Sequence, residues 1–392
     1  MTGVLHERPT TRGALDAARE VAADVAARAE RHDRDGSFAY ENIDALWEAG
    51  LGNLTLPGAA DLRTTAEAVR IVASGDPSTA LVWVMHLIQL KLLTADGAGV
   101  APHVREEVIA SSLAGPALIN ALRVEPDLGT PARGGIPSTR ARRAGGGWRL
   151  TGHKIYSTGS VGLRWLHVWA ATEDGARIGG FLVPADAPGI EIRETWDHLG
   201  MRASASHDVL LHDTPIPLDH AVGLAPPGSV DRGLGDPVLL GWMTSLVVSV
   251  YVGVARAARD WLVRYLNERA PSNLGAPLAT LPRFRVAVGE IEALLRAGER
   301  LLRSLEADLD LGGDAAARAG AESGLVKVAV TRGVIQAVEQ AVALVGNPGL
   351  TRHHPLQRHL RDVLCSRIHT PQDDSVLLAA GERALAIESE GT

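Results

Sequence analysis

The residues in this chain able to do chemistry fall into three groups. Tyr156, Ser157 and Thr158 precede Gly159. A ring and two hydroxyls ahead of a glycine turn suit the polar edge of a flat ligand. Arg269 and the glycine-rich run Val345-Gly346-Asn347-Pro348-Gly349-Leu350 form the second group. A guanidinium fork and the backbone N–H groups of such a turn suit a pyrophosphate. The third is a pair of histidines, His86 within the apolar run Ala80–Leu90 and His369 beside Thr370. Histidine is the side chain best poised near neutral pH to move a proton. Each group also has a plainer reading, as turn hydroxyls bonded to their own backbone, a core histidine, or a surface histidine.

His353, His354 and His359 crowd the segment before His369, but Arg352, Arg358 and Arg361 stand among them and would repel a cation. No metal site is expected there. Arg361 and the adjacent Asp362 are expected to pair with each other. Cys365 is the only cysteine, which excludes an internal disulfide or a thiolate cage. Gly145-Gly146-Gly147 precedes a strand instead of joining a strand to a helix, so it lacks the setting of a dinucleotide fingerprint.

These groups must be positioned by more than one core, since 392 residues exceed what a single core usually serves. From Thr11 to about Arg34 and from Tyr40 to Ala49 apolar residues recur at helical spacing, and Asp76-Pro77-Ser78 starts a third, nearly all-apolar helix that carries His86. Between about Ala121 and Leu224 short segments punctuated by Gly and Pro predict strands. Beyond a Pro/Gly-rich linker, helices are predicted over Val238–Glu268, Leu281–Leu309 and Ala315–Val345. This order predicts an α+β chain, mostly α, with domains at 1–118 (helical), 119–228 (β) and 229–392 (helical). A net charge of −7 argues against nucleic acid or an anionic membrane surface as partner and leaves a small molecule. No apolar run reads as spanning a bilayer and no signal peptide is visible, so a cytoplasmic protein is expected.

Gly147-Trp148-Arg149-Leu150-Thr151-Gly152-His153-Lys154-Ile155-Tyr156-Ser157-Thr158-Gly159-Ser160 resembles the strand that lies against the flavin ring in acyl-CoA dehydrogenases. Val124-Glu125-Pro126-Asp127-Leu128-Gly129-Thr130 is similar to that family's flavin-covering loop, and Gly200-Met201-Arg202-Ala203-Ser204-Ala205-Ser206 to its later β-domain motif. Arg269 through Leu278 and the Gly346 loop resemble segments that reach a neighbouring subunit's cofactor. The resemblance implies the acyl-CoA dehydrogenase fold, with a helical domain, a β-barrel-like domain and a C-terminal four-helix bundle. It also implies FAD, with FMN as the alternative, held by Val124, Thr130, Tyr156, Ser157, Thr158, Arg269, Gly346, Asn347 and Gly349, in a homotetramer or homodimer.

The family's catalytic Glu falls on Thr370, since Tyr-Glu-Gly-Thr becomes His369-Thr370-Pro371-Gln372. Its alternative place, on the first long C-terminal helix, is also bare, because Pro237–Arg259 contains no Asp or Glu. A threonine cannot abstract an α-proton. The run Tyr-Ser-Thr-Gly and the pair His369-Thr370 are similar instead to two-component flavin monooxygenases, including dibenzothiophene monooxygenase-like enzymes and nitrososynthases. That branch implies an enzyme that takes reduced flavin from a separate reductase and uses O₂ to oxidise N, S or C of a small substrate. His86, Ser157 and His369 are then the candidate catalytic residues. Two alternatives stand beside it: an acyl-CoA or acyl-carrier-protein dehydrogenase with another base, such as Asp373 or Asp374, and an inactive binding module.

Overall fold

The computed structural model describes residues 11–95, 97–128, 135–228 and 236–389. Five helices come first: α1 (Thr11–Asp35), α2 (Tyr40–Glu48), α3 (Leu62–Gly75), α4 (Pro77–Thr94) and α5 (Pro102–Ala114). The start of α4 is built by Asp76, whose carboxylate accepts from the N–H groups of Ser78 and Thr79, with Pro77 in the first turn, where its missing N–H is harmless. Almost every residue of α4 is buried, including His86, so its position is fixed from all sides.

Eight strands follow as one sheet: β1 (Leu118–Leu122), β2 (Arg140–Ala144), β3 (Gly147–Ser157), β4 (Leu163–Thr172), β5 (Ile178–Pro184), β6 (Ile190–Arg193), β7 (His207–Pro217) and β8 (Ala221–Ala225). They lie in the order β6-β7-β3-β2-β4-β5-β8, and β1 pairs with β4. The contacts of β4 with β1 and β2 are parallel, and the remaining pairs are antiparallel. The β3–β7 register slips between Lys154 and Ser157, a bulge at the residues expected to meet the ligand.

The C-terminal part holds three long helices, α6 (Pro237–Glu268), α7 (Pro282–Leu311) and α8 (Gly313–Val345), with the shorter α9 (Asn347–Leu350), α10 (Leu356–Leu364) and α11 (Asp373–Ser389). Helix α6 is the hub. It crosses α3 so closely that a Cβ at Gly253 would stand 2.5 Å from the Arg70 carbonyl oxygen and 2.6 Å from the Ala73 Cβ. Polar pairing locks the same crossing, because buried Arg70 bonds Glu67 and buried Glu306, and Ser245 of α6 donates to Glu306.

The membrane expectation needs correction. Helices α6 and α8 are each long and apolar enough to cross a bilayer. In α6, however, 78% of the apolar window is buried inside the protein, as a central bundle helix requires, against 50% in α8. Burial on several faces produces the same apolar run that a membrane would.

Candidate functional site

Strand β1 joins two of the predicted groups. The Ile119 N–H donates to His86 Nδ1 at 3.3 Å, and the neighbouring Asn120 donates through Nδ2 to the Thr158 carbonyl at 2.9 Å. The turn after β3 also abuts α4, since a Cβ at Gly159 would stand 3.2 Å from Val82 Cγ1. His86 and the Ser157–Thr158 turn are therefore held to one two-residue span of the same strand.

The sequence motif at 200–206 closes on that turn. Gly159 and Ser160 donate their N–H groups to the carbonyls of Ser204 and Ala205. Ser206 Oγ donates to Thr158 Oγ1 at 3.0 Å and shares a 2.8 Å hydrogen bond with Ser204 Oγ. Tyr156, Met201 and Ala205 adopt left-handed backbone, at φ 57°, 51° and 42°. That conformation is costly for side-chain-bearing residues, and such strain concentrates at functional sites. One consequence is that Tyr156 presents its ring outward, 55% exposed, beside Trp196 and His198. Trp196 and His198 stack at 3.6 Å, and the indole N–H is anchored to the Met201 carbonyl.

Next in the chain to Tyr156, Ser157 Oγ is a buried polar atom with no hydrogen-bond partner, and His86 Nε2 makes no hydrogen bond of ordinary geometry. Burial pushes the His86 pKa down to about 3, with the Gly52 backbone opposing in the smaller part, so the ring is neutral at physiological pH. Because Nδ1 accepts from Ile119, the ring proton sits on Nε2, a form that the Gly52 backbone favours, and the ring packs 5.1 Å from Trp47. The unpaired, buried Ser157 hydroxyl beside an exposed, strained aromatic shelf fits the polar edge and face of an isoalloxazine.

His369 lies in a different setting. It follows α10 and a short 3₁₀ turn, and its Nε2 meets the hydroxyl of Tyr251 on α6 at 2.5 Å. Burial, assisted by Lys327, pushes its pKa down to about 4. Among the described residues no hydrogen bond joins His369 to His86 or Ser157. Thr370 accepts from Gln372, and Asp373, considered above as a substitute base, is bound to Lys327 and Arg332.

Val124 accepts at its carbonyl from the Ile155 N–H, so the loop before Asp127 is tied to β3. Next to it the Glu125 carboxylate is fully buried against Lys154 and accepts also from Ser138 and Thr139. Thr130 lies outside the described residues. Arg269 caps α6 with its side chain exposed. Gly346 has φ 68°, and a Cβ at Gly349 would crowd Val345 and Val342, which accounts for both glycines. Asn347 begins the four-residue α9.

One expected pair is wrong. Arg361 bonds Asp33 of α1, and Asp362 instead accepts from the Met201 N–H at 2.7 Å. Adjacent helical residues point apart, so each found a partner on another element. His354 packs against Trp261 and Tyr265, and His359 is buried. Sequence reasoning missed Trp196, His198, Asn120 and Tyr251. Only Tyr251 carried a visible signal, as the one tyrosine of the apolar stretch Pro237–Arg259.

The chain is similar to known proteins over most of its length. The family described as "Acyl-CoA dehydrogenase, middle domain" matches residues 123–214, and "Acyl-CoA dehydrogenase, C-terminal domain" matches 245–373. YdbM of Bacillus subtilis (strain 168), which carries the name of an acyl-CoA dehydrogenase, is 33% identical over 89% of this chain and 90% of its own. L-evernosamine nitrososynthase of a Micromonospora strain is 28% identical over 97% and 92%. The X-ray structure of KijD3 in complex with FMN and dTDP-3-amino-2,3,6-trideoxy-4-keto-3-methyl-D-glucose superposes with a TM-score of 0.83, at 30% identity, over 98% of this chain and 96% of that one.

Proposed function

Since the chain belongs to the acyl-CoA dehydrogenase superfamily and is a flavin-dependent oxidoreductase, we propose that it is the oxygenase of a two-component system. It takes reduced flavin from a separate reductase and oxidises a small substrate at N, S or C. The observation that carries this reading is the loss of the dehydrogenase base. Thr370 stands in its place, Asp373 is committed to Lys327 and Arg332, and α6 has no carboxylate from Pro237 to Arg259. The nitrososynthase relative and the KijD3 complex support nitrogen of an amino sugar as the first substrate class to test.

Bound reduced flavin supplies the electrons that activate O₂ for transfer of one oxygen atom. The chain's own residues do the rest. Ser157 and Thr158 would hold a flavin's polar edge, and Tyr156 with Trp196 and His198 would lie against its face. His86 offers its Nε2 proton to a developing oxygen anion, and the apolar walls of α4 keep water out. Arg269, Gly346 and Asn347 are exposed and on this reading serve the pyrophosphate of a neighbouring subunit, which calls for a homodimer or homotetramer and favours FAD. The FMN bound by KijD3 supports FMN as the alternative.

Incubation with a dTDP-linked amino sugar, a flavin reductase and isotopically labelled O₂ tests the reading. A product carrying one labelled oxygen is expected, and equal turnover without O₂ would contradict it. The dehydrogenase reading is supported by relatives such as YdbM, at 33% identity.

A further inference from the structure

We propose that Tyr251 is a positioning residue that locks His369 as an Nδ1–H donor. This rests on the oxygenase reading for its catalytic meaning, but its structural content stands independently.

His369 needs an anchor. It lies on an irregular segment between the 3₁₀ turn Cys365–Ile368 and α11, where no helix or strand fixes its ring. Tyr251 is the opposite kind of residue, at the buried centre of α6 with no exposed surface. Their contact spans 118 positions of sequence, at 2.5 Å between Oη and Nε2, with the rings 5.6 Å apart.

The direction of that hydrogen bond follows from the charges around it. Burial, together with Cys365 and Asp362, holds the Tyr251 phenol well above its ordinary pKa, so it stays protonated. On the other side Lys327 of α8 faces His369, itself paired with Asp373 of α11 at 2.8 Å, and a nearby cation disfavours an imidazolium. A neutral phenol beside a neutral imidazole donates O–H to the basic ring nitrogen, so Nε2 accepts and the ring proton resides on Nδ1.

His86 is fixed in the opposite sense, Nδ1 accepting from a backbone N–H and Nε2 carrying the proton. The two histidines are thus neutral N–H donors of opposite tautomer, one set by β1 and one by α6. His369 stands immediately before Thr370, so this device occupies the place from which relatives of the dehydrogenase type abstract a proton. A donor here suits stabilising a developing oxygen anion, which a carboxylate would repel.

The test uses the full-length protein without flavin, selectively ¹⁵N-labelled at histidine, with His369→Asn identifying the signal. Nδ1 of His369 should be protonated and Nε2 bare. In Tyr251→Phe the tautomers should mix and the ring should titrate at higher pH, because the neutral form has lost its donor. With flavin and reductase, Tyr251→Phe should lower kcat on the order of 10- to 100-fold with KM nearly unchanged. Adding it to His369→Asn should cost nothing further. Protonation at Nε2 in the unsubstituted protein overturns the proposal even if Tyr251→Phe fails to fold. So does an unaltered tautomer in Tyr251→Phe. The expected tautomer without any oxygen-dependent product would uphold the positioning and sink the oxygenase reading instead.

Discussion

Replacing Lys154 by Met should loosen the strand that presents Tyr156, Ser157 and Thr158. Lys154 is fully buried, and its Nζ donates to Glu125 Oε1 and to the Trp169 carbonyl, each at 2.6 Å. Burial pulls its pKa down to about 8 against the opposing pull of Glu125. Without the ammonium, Glu125 is left as a buried carboxylate that still accepts from Ser138 N–H, Thr139 N–H and Thr139 Oγ1. Removing one member of a buried pair costs about 3–5 kcal/mol, and the three surviving donors place Lys154→Met near 3 kcal/mol. Urea unfolding at pH 7 reads the loss. The double variant Glu125→Gln/Lys154→Met has no stranded charge and should recover at least ~1 kcal/mol of it. Flavin affinity should fall with Lys154→Met, since Val124 and Ile155 pair beside the ion pair. A single variant within about 0.5 kcal/mol of the unsubstituted protein, or a double variant less stable than the single, would refute the reasoning.

Acid should unfold the protein steeply. His86, His167 and His359 are held by burial at pKa values of about 3, below the ~6.5 of an unfolded chain, so stability is complete above that value and is lost as pH falls toward 3. Each contributes up to about 1.4 kcal/mol per pH unit, giving a fall of about 4 kcal/mol between pH 5.5 and 4.5 in urea titrations, and a flat profile would contradict the burial argument. Arg269→Ala should weaken FAD by about 1.5–3 kcal/mol by calorimetry and FMN by less, and equal loss for both flavins would remove the pyrophosphate role. Thr370→Val should leave the turnover rate within a few-fold, whereas His86→Asn should lower it on the order of 10²–10⁴ while flavin still binds. The reverse ranking would place the chemistry at Thr370.

Much of the architecture was legible because its signals are local. The Asp76-Pro77 start of α4 and the Gly/Pro punctuation of the strands are short-range patterns, and the three long C-terminal helices were read to within a few residues. The grouping of His86 with Ser157 and Thr158 came only from family resemblance, since the bond through Ile119 and Asn120 joins distant segments. Contacts of that kind defeated the spacing argument at Arg361, whose partner Asp33 lies 328 positions away. They also hid the pairing of Tyr251 with His369 inside a run that reads as plain core. Trp196 and His198 carried no signal, because nothing in the sequence shows that Tyr156 is turned outward toward them. The apolar runs of α6 and α8 were read as helices, but their length and apolarity sufficient for a bilayer went unnoticed, since a buried bundle helix and a membrane span share one composition.

We propose that this flavin site lacks a proton-abstracting base and serves oxygen transfer. Anaerobic titration of the flavin-loaded protein with butyryl-CoA and octanoyl-CoA, followed at the oxidised flavin absorbance, tests it most directly. The flavin should stay oxidised, because neither Thr370 nor any residue of Pro237–Arg259 can remove the α-proton. Bleaching of the flavin by either thioester would contradict it.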